Sequence, residues 1–245
     1  DSPPSGVRSL ALVGNDETLA QWTDRFAALP LQSQPGEQFI YGYATDVLGR
    51  LVEVVSGQSL DRFIKERITD PLRMPDTGFA VPPDKVARLA NVYGLEAGQL
   101  KLMETPAKSD FVNGPHKLMS GGAGMVSTAG DYTRFLQMLL NKGALDGVRI
   151  LAPQTVALMT ADHLGAKAGG DADGFGLGFW VNVRRGGFRE LGSEGAFGWG
   201  SAYFPQYTVD PKERLVILFM TQLRPAGNST LHLRVRGLTY QALIR

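Results

Sequence analysis

Two phenol groups flank a single glycine in the segment FIYGYATDVLG, where Tyr41 and Tyr43 stand on either side of Gly42. An apolar-periodic run follows at once and predicts a helix from Asp46 onward. A tyrosine in such a place can be a packing residue. It can also be an acid–base group, provided that its neighbours stabilise the ionised phenol, whose free pKa is near 10. The segment by itself leaves both roles open.

The remaining residues with catalytic or metal-binding chemistry are scattered. The histidines, His116, His163 and His232, lack the spacing of metal ligands, and the chain contains no cysteine. Disulfides, thiolate metal sites and a cysteine nucleophile are therefore excluded. Asp46 and Glu53 fall on one face of the predicted helix, which is more typical of a solvated face than of a carboxylate pair. We expect neither a metal nor a cofactor.

Composition excludes several kinds of partner. Apolar residues make up 43% of the chain and charged residues 20%, with a formal net charge of +1, values that are typical of a globular protein. The basic residues are dispersed, so we expect no nucleic-acid partner and no membrane-surface partner. The longest apolar run, LVILFM, is far too short to cross a bilayer. The sequence leaves the compartment open.

The elements that position these residues change in character along the chain. Helical periodicity recurs in ETLAQWTDRFAAL, in residues 46–72 with a break at Ser56-Gly57, in STAGDYTRFLQMLLNKG with Ser127 or Thr128 as the N-cap, and in Pro153–Met159. Residues 86–102 predict short strands and turns. We therefore expect a mostly helical and loop region over residues 1–170, which carries the tyrosine motif.

Residues 171–245 have the pattern of antiparallel strands followed by a helix. Strand character is strongest in GFGLGFWVNV, FRELGSEGAFG, WGSAYFPQYTV and RLVILFMTQL, and LHLRVRGLTYQALIR predicts the terminal helix. This order predicts an α+β fold. A meander covered by one helix would leave a sheet face and an edge exposed, unless the earlier helices or additional polypeptide cover them.

Four blocks of the chain, taken together and in this order, resemble the serine β-lactamase and penicillin-binding-protein-like superfamily. They are LPLQSQPGEQFIYGYATDVLGRLVEVVSGQSL, ITDPLRMPDTGF, MSGGAGMVSTAGDYTRFLQMLLNKGALDGVRIL and WGSAYFPQYTVDPKERLVILFMTQ. The resemblance is greatest to the family VIII carboxylesterases. It implies a β-lactamase-like α+β fold, with an antiparallel sheet flanked by helices and a mostly helical second subdomain.

The resemblance also implies an acyl-transfer site with three elements. These are a Ser-x-x-Lys pair, a tyrosine that shares in proton transfer, and an edge strand with a Lys-Thr-Gly-like segment next to the oxyanion hole. Tyr41 matches the family tyrosine and is the expected catalytic residue. Trp199, Gly200 and Ser201 match the Lys-Thr-Gly segment, so the backbone N–H of Ala202 is the expected oxyanion donor.

The same match defines a substrate pocket. Trp199, Gly200 and Ser201 would line it, Tyr43 would form part of its wall, and the glycine-rich turn with Gly121 and Gly122 would approach it. Tryptophan replaces the family lysine at position 199, which removes the charge that would hold the carboxylate of a β-lactam or a peptide. Neutral esters are therefore the favoured substrates.

The nucleophile of this family is absent from the sequence. No serine is followed by a lysine three residues later; Ser5 leads to Arg8 and Ser59 to Arg62, and arginine does not release its proton at workable pH. We expect that the chain is roughly the C-terminal two-thirds of a longer protein. The N-terminal strands and the Ser-x-x-Lys helix would then lie outside it, so that the sheet here is incomplete and the partner is an N-terminal companion fragment.

The leading hypothesis from the sequence is a serine hydrolase, a carboxylesterase that cleaves short-chain esters of small molecules through an acyl-enzyme. Its serine and lysine would come from the missing segment. One alternative is a catalytically inactive family member that binds ligands or acts as a scaffold. Another is a β-lactamase or D-aminopeptidase. The natural substrate and the oligomeric state are left open.

Overall fold

The fold begins with helices that pack on one another. In the computed structural model, which describes residues 16–165, 173–184 and 191–243, these are α1 (Leu19–Ala27), α2 (Ala44–Ser56) and α3 (Leu60–Ile64), which continues as a π-helical turn (Lys65–Thr69). After them come the hairpin of β1 (Val92–Glu96) and β2 (Gln99–Glu104), then α4 (Asp110–Asn113), α5 (Ala129–Leu140), the short hairpin of β3 (Ala144–Leu145) and β4 (Val148–Arg149), and α6 (Pro153–Met159).

The helix ends follow local capping rules. Thr18 and Gln21 form a capping box at the start of α1, and the Thr128 side chain accepts from the Asp131 N–H at the start of α5. Gly57 adopts the left-handed conformation (φ 70°) that ends α2. The helices predicted from periodicity are therefore confirmed. None of the helices in the described part of the chain is long and apolar enough for a membrane span.

The C-terminal part forms an antiparallel sheet followed by a helix. Its strands lie in chain order, β5 (Asp173–Phe175), β6 (Trp180–Asn182), β7 (Phe197–Gly200), β8 (Gln206–Asp210) and β9 (Leu215–Phe219), and α7 (Leu231–Gln241) comes last. The sequence pattern predicts two separate strand segments that meet between Gly198 and Trp199. In the structure a single strand, β7, includes both of these residues. The FRE portion of the predicted strand FRELGSEGAFG lies outside the described residues.

Strand β7 occupies the middle of this sheet, so the expectation of an edge strand is wrong. Its partner β6 pairs only with Phe197 and Gly198, whereas β8 pairs along the whole of β7. Trp199 and Gly200 therefore extend beyond the end of β6. The strand has an open side only over its last two residues, because β6 is shorter than β8.

Both faces of the sheet carry helices. Phe197 and Val209 point into a core shared with α5 and α6, and the alternate residues face α7, where Arg236 lies over the Trp180 ring and Tyr240 donates to Asp210. The buried residues of this core are Leu72, Met74, Leu136, Met138, Leu139, Val156, Phe179, Val181, Phe197 and Val209. The earlier helices thus cover the face that the sequence pattern left open.

A second, smaller core lies between the first helices. It consists of Leu19, Trp22, Leu60 and Leu118. The first core joins residues from both sides of position 170, whereas the second lies wholly before it. The predicted division at residue 170 therefore separates a mostly helical part with two small hairpins from the five-stranded sheet and its terminal helix, and one core extends across it.

Candidate active site

The structure brings Tyr41 together with Trp199, although the two residues are far apart in sequence. Tyr41 lies on the segment that leads into α2, and Trp199 lies near the end of β7. Their ring centroids are 5.7 Å apart, with an angle of 30° between the planes. Tyr41 is 71% exposed, and its phenol forms no hydrogen bond with any residue that the structure describes. The hydroxyl is accessible to a proton donor or acceptor that approaches from outside.

A tight turn follows the end of β7 and contains the expected oxyanion donor. The Phe204 N–H donates to the Ser201 carbonyl (2.9 Å), and the Ser201 N–H donates to the Pro205 carbonyl (3.0 Å). Ala202 occupies the second position of this turn, whose N–H is not part of the turn's own hydrogen bond. Within the described ranges, the Ala202 N–H has no protein acceptor. It is therefore available to an oxygen atom of a ligand.

Gly200 leaves room for a neighbouring side chain at the end of the strand. A Cβ atom at this position would lie 2.3 Å from the Gln206 side-chain nitrogen, because Gln206 pairs with Gly200 across the ladder. A larger residue here would require the end of the Gln206 side chain to move, whereas the backbone sets no such limit within the same contacts. The substrate-pocket roles of Gly200 and Ser201 remain predictions.

The glycine-rich turn is fixed to the start of α2 by a buried carboxylate. The Ser120 hydroxyl and the Gly122 N–H both donate to Asp46 Oδ1, at 2.5 and 3.2 Å. Asp46 is only 1% exposed, so its expected place on a solvated face is wrong. The sequence could not show this, because the partners of Asp46 come from a loop more than seventy residues later.

Close backbone packing explains the two glycines of this turn. A Cβ atom at Gly121 would lie 2.3 Å from the Thr45 carbonyl oxygen, and one at Gly122 would lie 2.8 Å from an Asp46 carboxylate oxygen. Any side chain at Gly121 would therefore push the turn away from the first residues of α2. The turn lies against the helix that follows the tyrosine motif, and its contribution to a pocket remains a prediction.

Tyr43 differs from Tyr41 in its surroundings. Its ring packs edge-on against Trp22 (5.4 Å between centroids) and Phe26 (5.5 Å), both of which belong to α1. Tyr43 is half-buried and takes the N-cap position of α2. The two phenols thus have separate environments, one packed on a core and one exposed beside Trp199. A role for Tyr43 in the pocket wall remains a prediction.

Two phenylalanines that sequence reasoning missed extend the contact between Tyr41 and Trp199. The Phe175 ring meets the Trp199 ring edge to face (5.3 Å, 83°), and Phe39 lies 4.9 Å from Phe175 on its other side. Phe39 could have been noticed because it lies two residues before Tyr41. No local pattern indicates Phe175, since its proximity depends on the position of β5.

Asp162 holds the backbone of Phe175 in place. Its carboxylate accepts from the N–H groups of Leu164 (3.0 Å), Phe175 (3.0 Å) and Gly165. Burial opposes ionisation of Asp162, but these N–H donors outweigh it and hold the pKa of the carboxyl below its ordinary value. The His163 N–H also donates to the Phe175 carbonyl (2.9 Å). Hydrogen bonds therefore hold both the N–H and the carbonyl of Phe175.

The histidines lie in separate places. A ring nitrogen of His163 is 2.8 Å from the Leu158 carbonyl, one of His116 is 3.4 Å from the Val112 carbonyl, and the His232 ring packs against Phe204. Burial and the nearby Arg236 lower the pKa of His232. The described residues contain no cluster of three or more histidine, aspartate or glutamate side chains that could hold a metal ion.

A sequence profile of one protein family, described as Beta-lactamase, matches residues 4–240. Protein Rv1367c of Mycobacterium tuberculosis (strain H37Rv) is 35% identical over 220 residues, which are 83% of this chain and 53% of that protein. Esterase EstB of Burkholderia gladioli is 30% identical over 230 residues, 84% of this chain and 55% of the esterase. The chain thus spans about half the length of these curated relatives.

The fold is similar to that of a solved hydrolase structure. EstCE1, described as a hydrolase with promiscuous acyltransferase activity, superposes with a TM-score of 0.79 at 27% identity. The match covers 92% of this chain and 62% of EstCE1. The antiparallel sheet and the flanking helices described above therefore form the larger part of a known architecture.

Proposed function

This chain belongs to the beta-lactamase family, and from that premise we propose that it is the larger part of a serine hydrolase, a carboxylesterase that cleaves short-chain esters. The reaction would pass through an acyl-enzyme on a serine hydroxyl. The observation that supports the proposal most is the contact between Tyr41 and Trp199, which joins the family tyrosine to the strand that precedes the oxyanion donor. Similarity to a protein named as an esterase favours an ester over a β-lactam.

Each group has a role in the proposed reaction. The serine oxygen attacks the ester carbonyl, and Tyr41, acting with the lysine of the Ser-x-x-Lys pair, takes part in removing the serine proton. The Ala202 N–H donates to the oxygen that becomes negative in the tetrahedral intermediate. Tyr41 then returns the proton to the alcohol as the carbon–oxygen bond breaks. Water repeats the sequence on the acyl-serine and releases the acid.

We propose that the serine and its lysine come from polypeptide outside this chain. The sequence has no Ser-x-x-Lys, and helix α2 has an apolar face that no described residue covers. Leu48, Leu51 and Val55 are on that face and are all exposed, Val55 to 79%. A helix that carries the serine and lysine and has an apolar face of its own fits this surface. Packing its apolar face against that of α2 would remove both from water, which is favourable.

The proposal is tested by joining this chain to the part of Esterase EstB that precedes the matched region. We expect the chain alone to neither hydrolyse p-nitrophenyl butyrate nor react with a fluorophosphonate. The fusion should do both. Substituting Tyr41→Phe in the fusion should lower kcat by about 10²- to 10⁴-fold, the usual contribution of a general acid–base group. The Tyr43→Phe fusion is the matched control and should keep most of its activity.

A non-catalytic binding protein is the second candidate, and the absence of Ser-x-x-Lys from the sequence favours it. A folded fusion that is not labelled by fluorophosphonate would support this candidate and contradict the hydrolase. Nitrocefin turnover above p-nitrophenyl butyrate turnover would instead support a β-lactamase. Trp199 argues against that result, because it replaces the lysine that would hold the antibiotic carboxylate.

A further inference from the structure

Four aromatic rings form a continuous row at the candidate site. Tyr41 contacts Trp199, Trp199 contacts Phe175, and Phe175 contacts Phe39, with ring centroids 5.7, 5.3 and 4.9 Å apart in that order. We refer to these four residues as the aromatic strip. Tyr41, the proposed acid–base group, is the first ring in this order of contacts.

The strip is accessible, in contrast to the aromatic residues of the two cores. Tyr41 is 71% exposed and Phe39 38% exposed, and the other two rings are half-buried. By comparison, Trp22 of the second core is fully buried. The apolar surface that these rings still expose is removed from water only when another group, such as a ligand, covers it, and that removal is favourable.

The chemistry of the strip favours a ligand with an aromatic ring and disfavours an anionic one. Among the described residues, no lysine or arginine lies over any of its four rings; the cation–ring contacts involve Tyr203 and Trp180. The ring faces and edges can therefore pack against a planar apolar group, an arrangement in which aromatic pairs are most favourable. The rings themselves carry no positive charge that would pair with a carboxylate, and their faces can also attract a cation.

We propose that the aromatic strip binds an aromatic group of the ester substrate. This inference rests on the proposed function, since it takes the reacting carbonyl to lie at the Tyr41 end. Phe175 is the fixed part of the surface, because Asp162 and His163 hold its backbone. Phe39 completes the strip from the loop that carries Tyr41. The substrate class is therefore an ester that carries an aromatic group.

The strip can be tested by binding, which does not need the serine and lysine. Benzyl acetate and ethyl acetate share an acyl group and differ in the aromatic ring. In ligand-observed NMR titrations of the full chain, we expect benzyl acetate to bind at least tenfold more tightly than ethyl acetate. Phe39→Leu and Phe175→Leu should each weaken benzyl acetate binding about three- to tenfold, the range that aromatic pair contacts give.

Three controls make the result specific. Phe39→Tyr keeps the ring and should keep the affinity for benzyl acetate. Phe63→Leu removes a half-buried ring from α3 and should leave the affinity unchanged. Circular dichroism and thermal melting of each variant show whether it is folded, and for Phe39, which is already partly exposed, we expect no loss of structure.

The outcomes separate this inference from the proposed function. Equal affinities for the two esters, or no detectable binding of benzyl acetate, overturn the aromatic strip as a binding surface even if the fusion with the EstB segment hydrolyses esters. Preferential binding of benzyl acetate that depends on Phe39 and Phe175 supports the strip even if the fusion proves inactive. In that case only the catalytic proposal fails.

Discussion

Helices α2 and α5 are nearly equal in length, 13 and 12 residues, and both carry apolar side chains at helical spacing. In α5 the buried positions include Leu136, Met138 and Leu139, which pack on the sheet. In α2 the fully buried positions are Asp46 and Gly49, and the apolar residues at 47, 48, 51, 54 and 55 are exposed. Similar sequence patterns thus meet different surroundings.

The difference shows that the apolar pattern of a helix does not determine which residues pack against its apolar face. Strands β8 and β9 cover α5, and they come from residues far along the chain. The outer face of α2 has no such cover among the described residues, and the helix is attached through its inner face and through Asp46. Leaving that face in water costs roughly 25 cal/mol for each square ångström of apolar surface. The proposed serine–lysine segment would remove that cost.

The largest effect is expected at the covered helix. Leu136→Ala removes a fully buried side chain of α5, and the loss of packing with the cavity it leaves should lower the free energy of unfolding by about 2–5 kcal/mol. Urea denaturation followed by circular dichroism measures this change. A loss below about 1 kcal/mol, well under that range, would show that the core around α5 repacks easily, and would remove the contrast with α2.

An intermediate effect is expected where α2 is anchored. Asp46→Ala leaves the Ser120 hydroxyl and the Gly122 N–H without their acceptor, and unsatisfied buried donors cost about 1–3 kcal/mol. The same denaturation experiment measures it. Asp24→Ala, at an exposed position of α1, is the control and should change stability little. Equal effects of the two substitutions would mean that the anchor contributes nothing.

The smallest effect is expected on the outer face of α2. Val55→Thr, at a position 79% exposed, should change the free energy of unfolding by no more than about 0.5 kcal/mol. Val52→Thr, the matched substitution on the inner face that packs against the second core, should cost about 1 kcal/mol or more because the hydroxyl is then buried.

The same pair of variants sharpens the comparison in the fusion with the EstB segment. There Val55→Thr should become as destabilising as Val52→Thr, since the outer face would now be covered. A neutral Val55→Thr in a folded, active fusion would rule out this face as the docking surface of the segment. Thermal melting of the two fusions, side by side, provides the measurement.

Much of the local structure could be predicted from the sequence. The bounds of α6 and the break at Ser56-Gly57 follow from residues only a few positions apart, and the structure confirms both. The pattern left Ser127 and Thr128 open as the N-cap of α5, and the structure selects Thr128. The resemblance predicts site roles for Tyr41 and Trp199, which stay predictions, and the structure places the two rings in contact. The central place of β7 could not be predicted, because strand order depends on which strands pair across the sheet.

What the sequence determined by itself is the set of local elements, the match of Tyr41 and of residues 199–202 to an acyl-transfer family, and the absence of Ser-x-x-Lys from the chain. Only the tertiary structure decided that Asp46 is buried, that Phe175 meets Phe39 and Trp199, and that α2 keeps an apolar face in water. The physical reason is distance along the chain. Helical periodicity and capping act over three or four residues, whereas burial and ring contacts depend on residues that folding brings together from remote segments.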